Sequence, residues 1–288
     1  MSRWVWRFLV GRHAGVLQDR YAGDVGDFLK FGLLRWLHAP VDGAEPLRVG
    51  VVWYLTVDED HNADGKHVAY LDAGDAVGRR LQALDPDLHR RLGGVVKQGR
   101  SVAALEAAGV LPGAVWFSRR LDLSGAASGD RAGRLARRRA WLAEAHDAMV
   151  GAELVFVDPD NGLRPADHPA GRHLTKAVKH AYLDELAGYV DRGQSLLAYH
   201  HADRSAPVVV QAQRRLVELR DALGVEPLAA VQASSGSVRL FLLVPAPAHR
   251  ERLAARLDAL AARGWAAPLR AGRSGPLVVL RPESEPPP

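Results

Sequence analysis

Short apolar runs alternate with longer amphipathic stretches along most of the chain. The apolar runs are rich in Val and aromatic side chains, a composition typical of strands buried in a sheet. They predict strands at residues 47–55, 113–118, 153–158, 195–200, 228–234 and 238–244.

The stretches between these runs carry apolar residues three and four positions apart, the spacing of a helix with one buried face. They predict helices at residues 25–38, 131–150, 175–192, 207–223 and 248–263. Strands that alternate with helices indicate an α/β fold with a mostly parallel sheet. The last two strands flank "SGS", which predicts a closing hairpin with an antiparallel edge strand.

The domain organisation that we expect is one α/β domain over residues 1–282. The chain shows no internal repeat and no Pro/Gly-rich linker long enough to separate domains. Residues 73–128 have the least regular pattern and are expected to form an irregular insertion. The tail "ESEPPP" at 283–288 is expected to be disordered, because it has too few apolar residues to fold.

The amino-acid composition excludes some kinds of site and some locations in the cell. The 288 residues include no cysteine, which excludes disulfides and thiolate metal sites. No apolar run is long enough to cross a membrane, and the run near the start is too short for a signal peptide, so we expect a cytoplasmic protein. The formal net charge of +5 favours nucleic-acid binding only slightly.

Three polar clusters follow predicted strands: "TVDEDHNADGKH" at 56–67, "DPDNG" at 158–162 and "YHHADR" at 199–204. In open parallel sheets, ligands bind beyond the carboxyl ends of the strands. We therefore expect the three clusters to meet at one edge of the sheet.

The "DPDNG" turn is the most specific of these features. Asp158 ends a buried strand, and Asp160 and Asn161 follow on a turn that Pro159 stiffens. We expect Asp158 to contact a ligand. The alternative is a purely structural turn, since an Asn-Gly pair tolerates left-handed backbone.

The helix at 25–38 brings further charged residues. Asp24 is placed to cap its first turn, and Asp27 and Lys30 share one side of the helix. Either these residues border a ligand or they belong to a well-capped core helix. The loop at 56–67 has the same two interpretations, a ligand-binding loop or a solvated one, and a metal site there has no recognised ligand spacing.

Basic and aromatic residues suggest contacts to phosphate or to a substrate carboxylate. Paired histidines serve as acid–base groups, metal ligands or phosphate contacts. We expect such contacts from Lys176, Tyr199, His200, His201 and Arg204.

The helix at 131–150 adds Arg134, Arg137 and Arg138 on one side, with Arg139 beside them. They form either a stripe that follows a phosphate backbone or a solvated surface.

Three motifs together resemble a known family. "YAGDVGDFLKF", "LVFVDPDNG" and "SSGSVRLFLLVPAPAHRERL" resemble, in order, the opening helix, the "DPPY" strand and turn, and the closing hairpin and following helix of the large-subunit ribosomal RNA adenine-N6 methyltransferases. The resemblance covers about a third of the chain. It implies a doubly wound, Rossmann-like sheet of the S-adenosylmethionine methyltransferase type, with S-adenosylmethionine as the cofactor.

The chain departs from this family where the cofactor and the base would bind. The family has a glycine-rich loop after its first strand, whereas this chain has one glycine between 56 and 67. Phe31 stands where the family has a histidine. Asp160 and Asn161 replace a proline and the tyrosine that stacks on the base, and losing such a stack costs about 1–3 kcal/mol if nothing replaces it.

The expected function is methyl transfer from S-adenosylmethionine to an amino nitrogen, most simply in RNA or DNA. Asp158 accepts from the amine, Asn161 positions it, and Asp160 adds a charge that suits an amine, a ribose or a divalent metal. The residues expected to border the cofactor are Asp24, Lys30, Asp58, Lys66 and His67.

Two alternatives remain open from sequence. One is a hydrolase or nuclease that holds Mg²⁺ on the same scaffold. The other is a non-catalytic binding module. A small amine or a nucleoside is the alternative substrate to nucleic acid.

Overall fold

A computed structural model describes residues 19, 21–40, 43, 45–56, 67–72, 74–124, 129–165, 167–168, 171–235, 237–269 and 275–283. The tail predicted to be disordered lies outside the described residues except for its first, Glu283.

Strands and helices alternate along the first two thirds of the chain, as the apolar pattern predicts. The strands are β1 Val49–Trp53, β2 Val115–Phe117, β3 Leu154–Asp158, β4 Gly162–Arg164, β5 His180–Tyr182, β6 Ser195–His201, β7 Ala229–Ser235, β8 Ser237–Val244 and β9 Leu277–Leu280. The helices are α1 Val25–His38, α2 Ala76–Leu84, α3 Pro86–Gln98, α4 Val102–Ala107, α5 Arg131–Ala148, α6 Ala187–Val190, α7 Val208–Leu223 and α8 Arg250–Ala261.

The main sheet has the strand order β2-β1-β3-β6-β8-β7-β9. β2, β1, β3 and β6 pair in parallel, whereas β8 pairs antiparallel with both β6 and β7, and β9 pairs antiparallel with β7. β4 and β5 form a separate parallel pair. The architecture is α/β with a mixed sheet, compatible with a Rossmann-like fold.

Helices cover both faces of this sheet. Leu154, Phe156 and Leu197 point to the face of α1, α3 and α8, while Val155 and Val157 point to the face of α5 and α7. Buried strands with apolar residues on both faces are what a sheet between two helical layers requires.

Local sequence sets the bounds of α1. The Asp24 carboxylate accepts from the Asp27 backbone N at 2.9 Å and so caps the first turn, as predicted. The helix ends at His38 because Ala39 precedes Pro40, and a residue before proline disfavours helical backbone.

Three expectations about the fold need correction. Residues 175–192 do not form one helix: two 3₁₀ turns, β5 and the four-residue α6 occupy the segment. The expected irregular insertion at 73–128 contains α2, α3, α4 and β2. The antiparallel strand of the hairpin, β8, is internal, and the unpredicted β9 forms the edge.

Within the part of the chain that the structure describes, no helix combines the length and the apolar character needed to cross a bilayer.

Candidate functional site at the switch point of the sheet

The carboxyl ends of β1 and β3 form the switch point of the sheet. From β1 the chain moves outward to β2 on one side, then returns to β3 on the other side of β1. Trp53 and Asp158 are register partners at this end, and the Tyr54 backbone N donates to the Asp158 carbonyl at 3.3 Å. Open α/β sheets bind ligands in the crevice at such a point.

Lys30 joins α1 to this strand end. Its Nζ donates to Asp158 Oδ2 at 2.9 Å and to Asp27 Oδ1 at 2.8 Å. The ammonium also lies 4.8 Å from the centre of the Trp53 ring, within the range of a cation–π contact. All three charged residues are buried, with exposed fractions of 4% for Asp27, 6% for Asp158 and 9% for Lys30.

Burial and pairing act in opposite directions on these groups. Burial alone would lower the pKa of Lys30, but the carboxylates of Asp158 and Asp27 outweigh it and raise the pKa, so Lys30 is an ammonium ion. Burial raises the pKa of the Asp158 carboxyl, while Lys30 opposes the rise. Because a charged ammonium donates to it at 2.9 Å, we assign Asp158 as the carboxylate in the resting site.

The N-terminus of α1 adds another carboxylate and another cation. Asp24 is 3% exposed, and its Oδ2 lies 3.9 Å from Arg239 Nη2 on β8. Gly26 allows this approach, because a Cβ there would lie 2.6 Å from Arg239 Nη2. Burial and then the neighbouring Asp27 raise the pKa of Asp24, which Arg239 and Lys30 partly offset.

The cluster of Asp24, Asp27, Asp158, Lys30 and Arg239 therefore contains three acidic and two basic groups. With all five ionised, the cluster carries one excess negative charge. A buried excess charge is costly unless it is compensated, so the cluster favours a ligand with a positive group.

Unsatisfied polar atoms lie at the same strand end. Trp53 Nε1 and Thr56 Oγ1 are buried and have no hydrogen-bond partner among the described residues. Asp158 Oδ1 accepts no hydrogen bond from any described residue either, since Lys30 binds Oδ2. The Trp53 N–H is a donor, Asp158 Oδ1 is an acceptor, and the Thr56 hydroxyl can act as either towards a ligand at the switch point.

The "DPDNG" turn leads from β3 to the opposite face of the sheet. The Gly162 backbone N donates to the Pro159 carbonyl at 3.2 Å, and Gly162 has a φ of +98°. A Cβ at this glycine would lie 2.5 Å from His200 Nδ1. The positive φ, which an Asn-Gly pair tolerates, is one reason for the glycine, and the close contact with β6 is the second.

Asp160 and Asn161 do not join Lys30 and Asp158. Asp160 Oδ2 lies 3.4 Å from Lys179 Nζ, and the Asn161 backbone N donates to the Lys179 carbonyl at 2.8 Å. The Asn161 side chain is exposed and lines a cavity on the α7 side. The structure therefore places Asn161 in a cavity on the α7 side, away from Lys30.

Neighbouring residues of β6 point to opposite faces. Tyr199 packs against Phe241 on the α1 face, and its hydroxyl lies 3.1 Å from His201 Nδ1. His200 lies on the other face, where its Nδ1 accepts from the Leu163 backbone N at 3.1 Å. Burial raises the pKa of Tyr199 and lowers that of His200 to about 3.

A cavity of about 340 Å³ opens beside His200 and is rich in imidazole and guanidinium groups. Its lining consists of Asn161, Leu163, Arg164, Pro165, His168, His180, His200, His201, Asp203, Ser205, Gln211, Arg214 and Arg215.

The remaining predicted residues lie outside the switch-point cluster and the cavity, or outside the described residues. Lys176 and Arg204 are exposed and do not line the cavity. His67 is exposed and contributes its carbonyl, which accepts from the Val25 backbone N at 3.0 Å. Asp58 and Lys66 lie outside the described residues.

One of the three arginines predicted to share a side of α5 is buried and does not lie at the surface. Arg138 is 1% exposed, and its Nε and Nη2 bind the Glu185 carboxylate at 2.6 and 2.8 Å. Its guanidinium also donates to the carbonyls of Ala177 and His180. Arg138 therefore holds the segment around β5 in place and is not available to phosphate.

Sequence reasoning included Thr56 only as part of the polar cluster at 56–67, and it did not find Trp53 and Arg239 at the first site, nor Arg164 and Arg214 in the cavity. A signal existed for Trp53 and Thr56, because they flank the end of a predicted strand. No local sequence signal marked Arg239, because its contact with α1 depends on where β8 lies in the order of strands.

A metal centre finds no support in the described residues, among which no group of three or more His, Asp or Glu side chains is arranged to hold an ion. In comparisons with known proteins, no family model and no curated protein matches the chain.

Proposed function

We propose that this protein is an S-adenosylmethionine-dependent methyltransferase that acts on an amino nitrogen, with the base of a nucleotide or nucleic acid as the acceptor. The observation that carries the proposal is the buried cluster with one excess negative charge at the switch point. The cofactor is a sulfonium and ammonium cation, and an amine acceptor needs a hydrogen-bond acceptor; the cluster suits both.

The residues at the switch point supply polar groups that would hold such a cofactor. The Asp24 carboxylate is the group that would bind ribose hydroxyls or the ammonium, and Thr56 Oγ1 and Trp53 Nε1 are buried polar atoms without a partner among the described residues. When bound, S-adenosylmethionine would supply a methyl group to the amino nitrogen and leave as S-adenosylhomocysteine, and the proton lost by the nitrogen would pass to water.

Asp158 orients the amine in this proposal. Its Oδ1 accepts an N–H of the acceptor, while Lys30 holds Oδ2 and keeps the carboxylate fixed between β3 and α1. A fixed acceptor aligns the nitrogen lone pair with the methyl group, and alignment is a large part of what an enzyme can contribute to such a transfer.

The test combines calorimetry with S-adenosylhomocysteine and an assay for transfer of a labelled methyl group to a mixture of nucleotides and RNA. We expect S-adenosylhomocysteine to bind and to raise the melting temperature, since a ligand that binds only the native state stabilises it. Asp158→Asn is expected to keep the fold and S-adenosylhomocysteine binding but to lose transfer. Asp258→Asn, at an exposed carboxylate on α8, is the matched control.

No binding of S-adenosylhomocysteine at millimolar concentration would refute the proposal. Stabilisation by Mg²⁺ alone would replace it with the metal-dependent hydrolase.

A further inference from the structure

The cavity beside β6 is a separate site from the cluster around Asp158. β3 and β6 are neighbours in the sheet, but Asp158 lies on the α1 face and His200 on the α7 face. The "DPDNG" turn connects the two sites, since Asn161 lines the cavity three residues after Asp158.

Cationic groups dominate the cavity. Arg164 and Arg214 line it and form no ion pair with a described residue, whereas Arg215 is paired with Glu218. Asp203 is the one carboxylate in the lining, and it accepts from the Ser205 backbone N at 2.8 Å. Two guanidinium groups without a counter-ion suit an anion with several oxygens.

Neutral imidazoles supply further donors. His200 Nδ1 accepts from the Leu163 backbone N, so the proton of the neutral ring lies on Nε2, which is a donor. His180 is 9% exposed, and its Nδ1 has no partner among the described residues. Burial, and then Arg164, lowers the pKa of His180 to about 4, which is consistent with a neutral ring beside arginines.

The first turn of α7 forms another wall of the cavity. Gln211 fixes the preceding loop, because its side chain accepts from the Asp203 backbone N and donates to the carbonyls of Asp203 and Ala206. Backbone N–H groups at the start of a 16-residue helix add positive potential.

We propose that this cavity binds the phosphate group of a small phosphomonoester, with Arg164 and Arg214 as its charged ligands and His180 and His200 as further donors. The volume of about 340 Å³ suits a small molecule of nucleotide size rather than a polymer. Phosphate binding in this cavity is independent of the proposed function, because the cavity and Asp158 lie on opposite faces of the sheet.

Calorimetry with inorganic phosphate, adenosine monophosphate, adenosine and a short single-stranded RNA tests the proposal on the full chain. We expect inorganic phosphate and adenosine monophosphate to bind and adenosine to bind far more weakly. Arg214→Gln changes an exposed side chain, so it should fold, and it should weaken both phosphate ligands about tenfold, the effect of losing one hydrogen bond to a charged group. Arg164→Gln should do the same, and Arg139→Gln on α5 should not.

Equal binding by native protein and both cavity variants would place the phosphate elsewhere and overturn the proposal, as would no binding of either phosphate ligand. Binding of RNA without binding of adenosine monophosphate would replace it with a polymer site. A parallel titration with S-adenosylhomocysteine separates the two proposals, because either ligand can bind without the other.

Discussion

Lys30 Nζ and Asp158 Oδ2 lie 2.9 Å apart although 128 positions separate them in the sequence. The contact fixes the N-terminal helix against the end of β3. It also makes each partner the main compensation for the other's burial.

Removing the lysine alone should therefore be costly. Lys30→Met leaves Asp27 and Asp158 buried without their shared cation, and we expect a loss of about 3–5 kcal/mol in the free energy of unfolding. Lys97→Met, at an exposed lysine at the end of α3, should change it by less than about 0.5 kcal/mol. Urea denaturation of both variants measures the difference.

The double variant Lys30→Met/Asp158→Asn completes a thermodynamic cycle. We expect it to be more stable than Lys30→Met, because one uncompensated carboxylate has been removed. Strict additivity of the two single changes would show that the pair is not coupled.

The second prediction separates a buried arginine from an exposed neighbour. Arg138→Gln removes the nearer guanidinium from the Glu185 carboxylate and leaves only Arg172 Nη1, at 3.7 Å, so it should lower the free energy of unfolding by about 3 kcal/mol. Arg139→Gln, the next residue and exposed, should change it by no more than about 0.5 kcal/mol. Equal effects in thermal or urea unfolding would contradict the buried ion pair.

The third prediction concerns acid stability. His200 and His180 have pKa values of about 3 and about 4 in the folded chain, below the roughly 6.5 of an unfolded histidine. Between the folded and unfolded pKa values, the unfolded state binds more protons than the folded state. The contribution of the two neutral histidines to the free energy of unfolding is therefore complete above about pH 6.5 and declines as the pH falls towards 4. Each histidine contributes up to about 1.4 kcal/mol per pH unit to the slope of the free energy of unfolding against pH.

His200→Asn tests the predicted loss of stability at acidic pH, because the asparagine amide does not titrate and its oxygen can replace Nδ1 as the acceptor for the Leu163 backbone N. The variant should show a shallower loss of stability between pH 6 and pH 4 than the native chain. An unchanged slope in urea unfolding across this range would contradict burial of a neutral His200.

The fourth prediction compares two glycines with similar backbone. Gly162 and Gly99 have φ values of +98° and +106°, so alanine strains both by about 1–2 kcal/mol. A Cβ at Gly99 meets no atom within 4 Å, whereas at Gly162 it meets His200. We expect Gly162→Ala to be clearly the less stable variant and to shift the His200 imidazole signals in an NMR spectrum. Equal melting temperatures would show that β6 moves aside without cost.

The spacing of apolar residues along the chain predicted most of the fold. The apolar runs located β1, β2, β3, β6, β7 and β8, because buried strands need such runs whatever their partners. The strand β5 was missed because "HAY" is three residues long within a polar segment, and its position depends on Arg138, which lies 42 positions before His180 in the sequence. The edge strand β9 was missed because "LVVL" follows a stretch with no clear period.

The candidate site was predictable only in part. Asp158 and Asp24 were found because strand ends and helix caps have local signatures. The direction in which each side chain points could not be predicted from sequence. Tyr199 and His200 lie on opposite faces of the sheet, and the register of β6 decides which face each one occupies. Arg138 carried the signature of an exposed arginine row, and only the packing of α5 against the segment around Glu185 shows that it is buried.

The internal position of β8 has a consequence for synthesis of the chain on the ribosome. β6 ends at His201, but the strand that covers its far side ends at Val244 and follows β7 in sequence. Until β8 has emerged, β6 is an apolar strand with an unpaired edge, a state prone to association with other chains. β7 and β8 are consecutive in sequence and pair with each other, so we expect the hairpin to form soon after it emerges and to close the exposed edge of β6 as one unit.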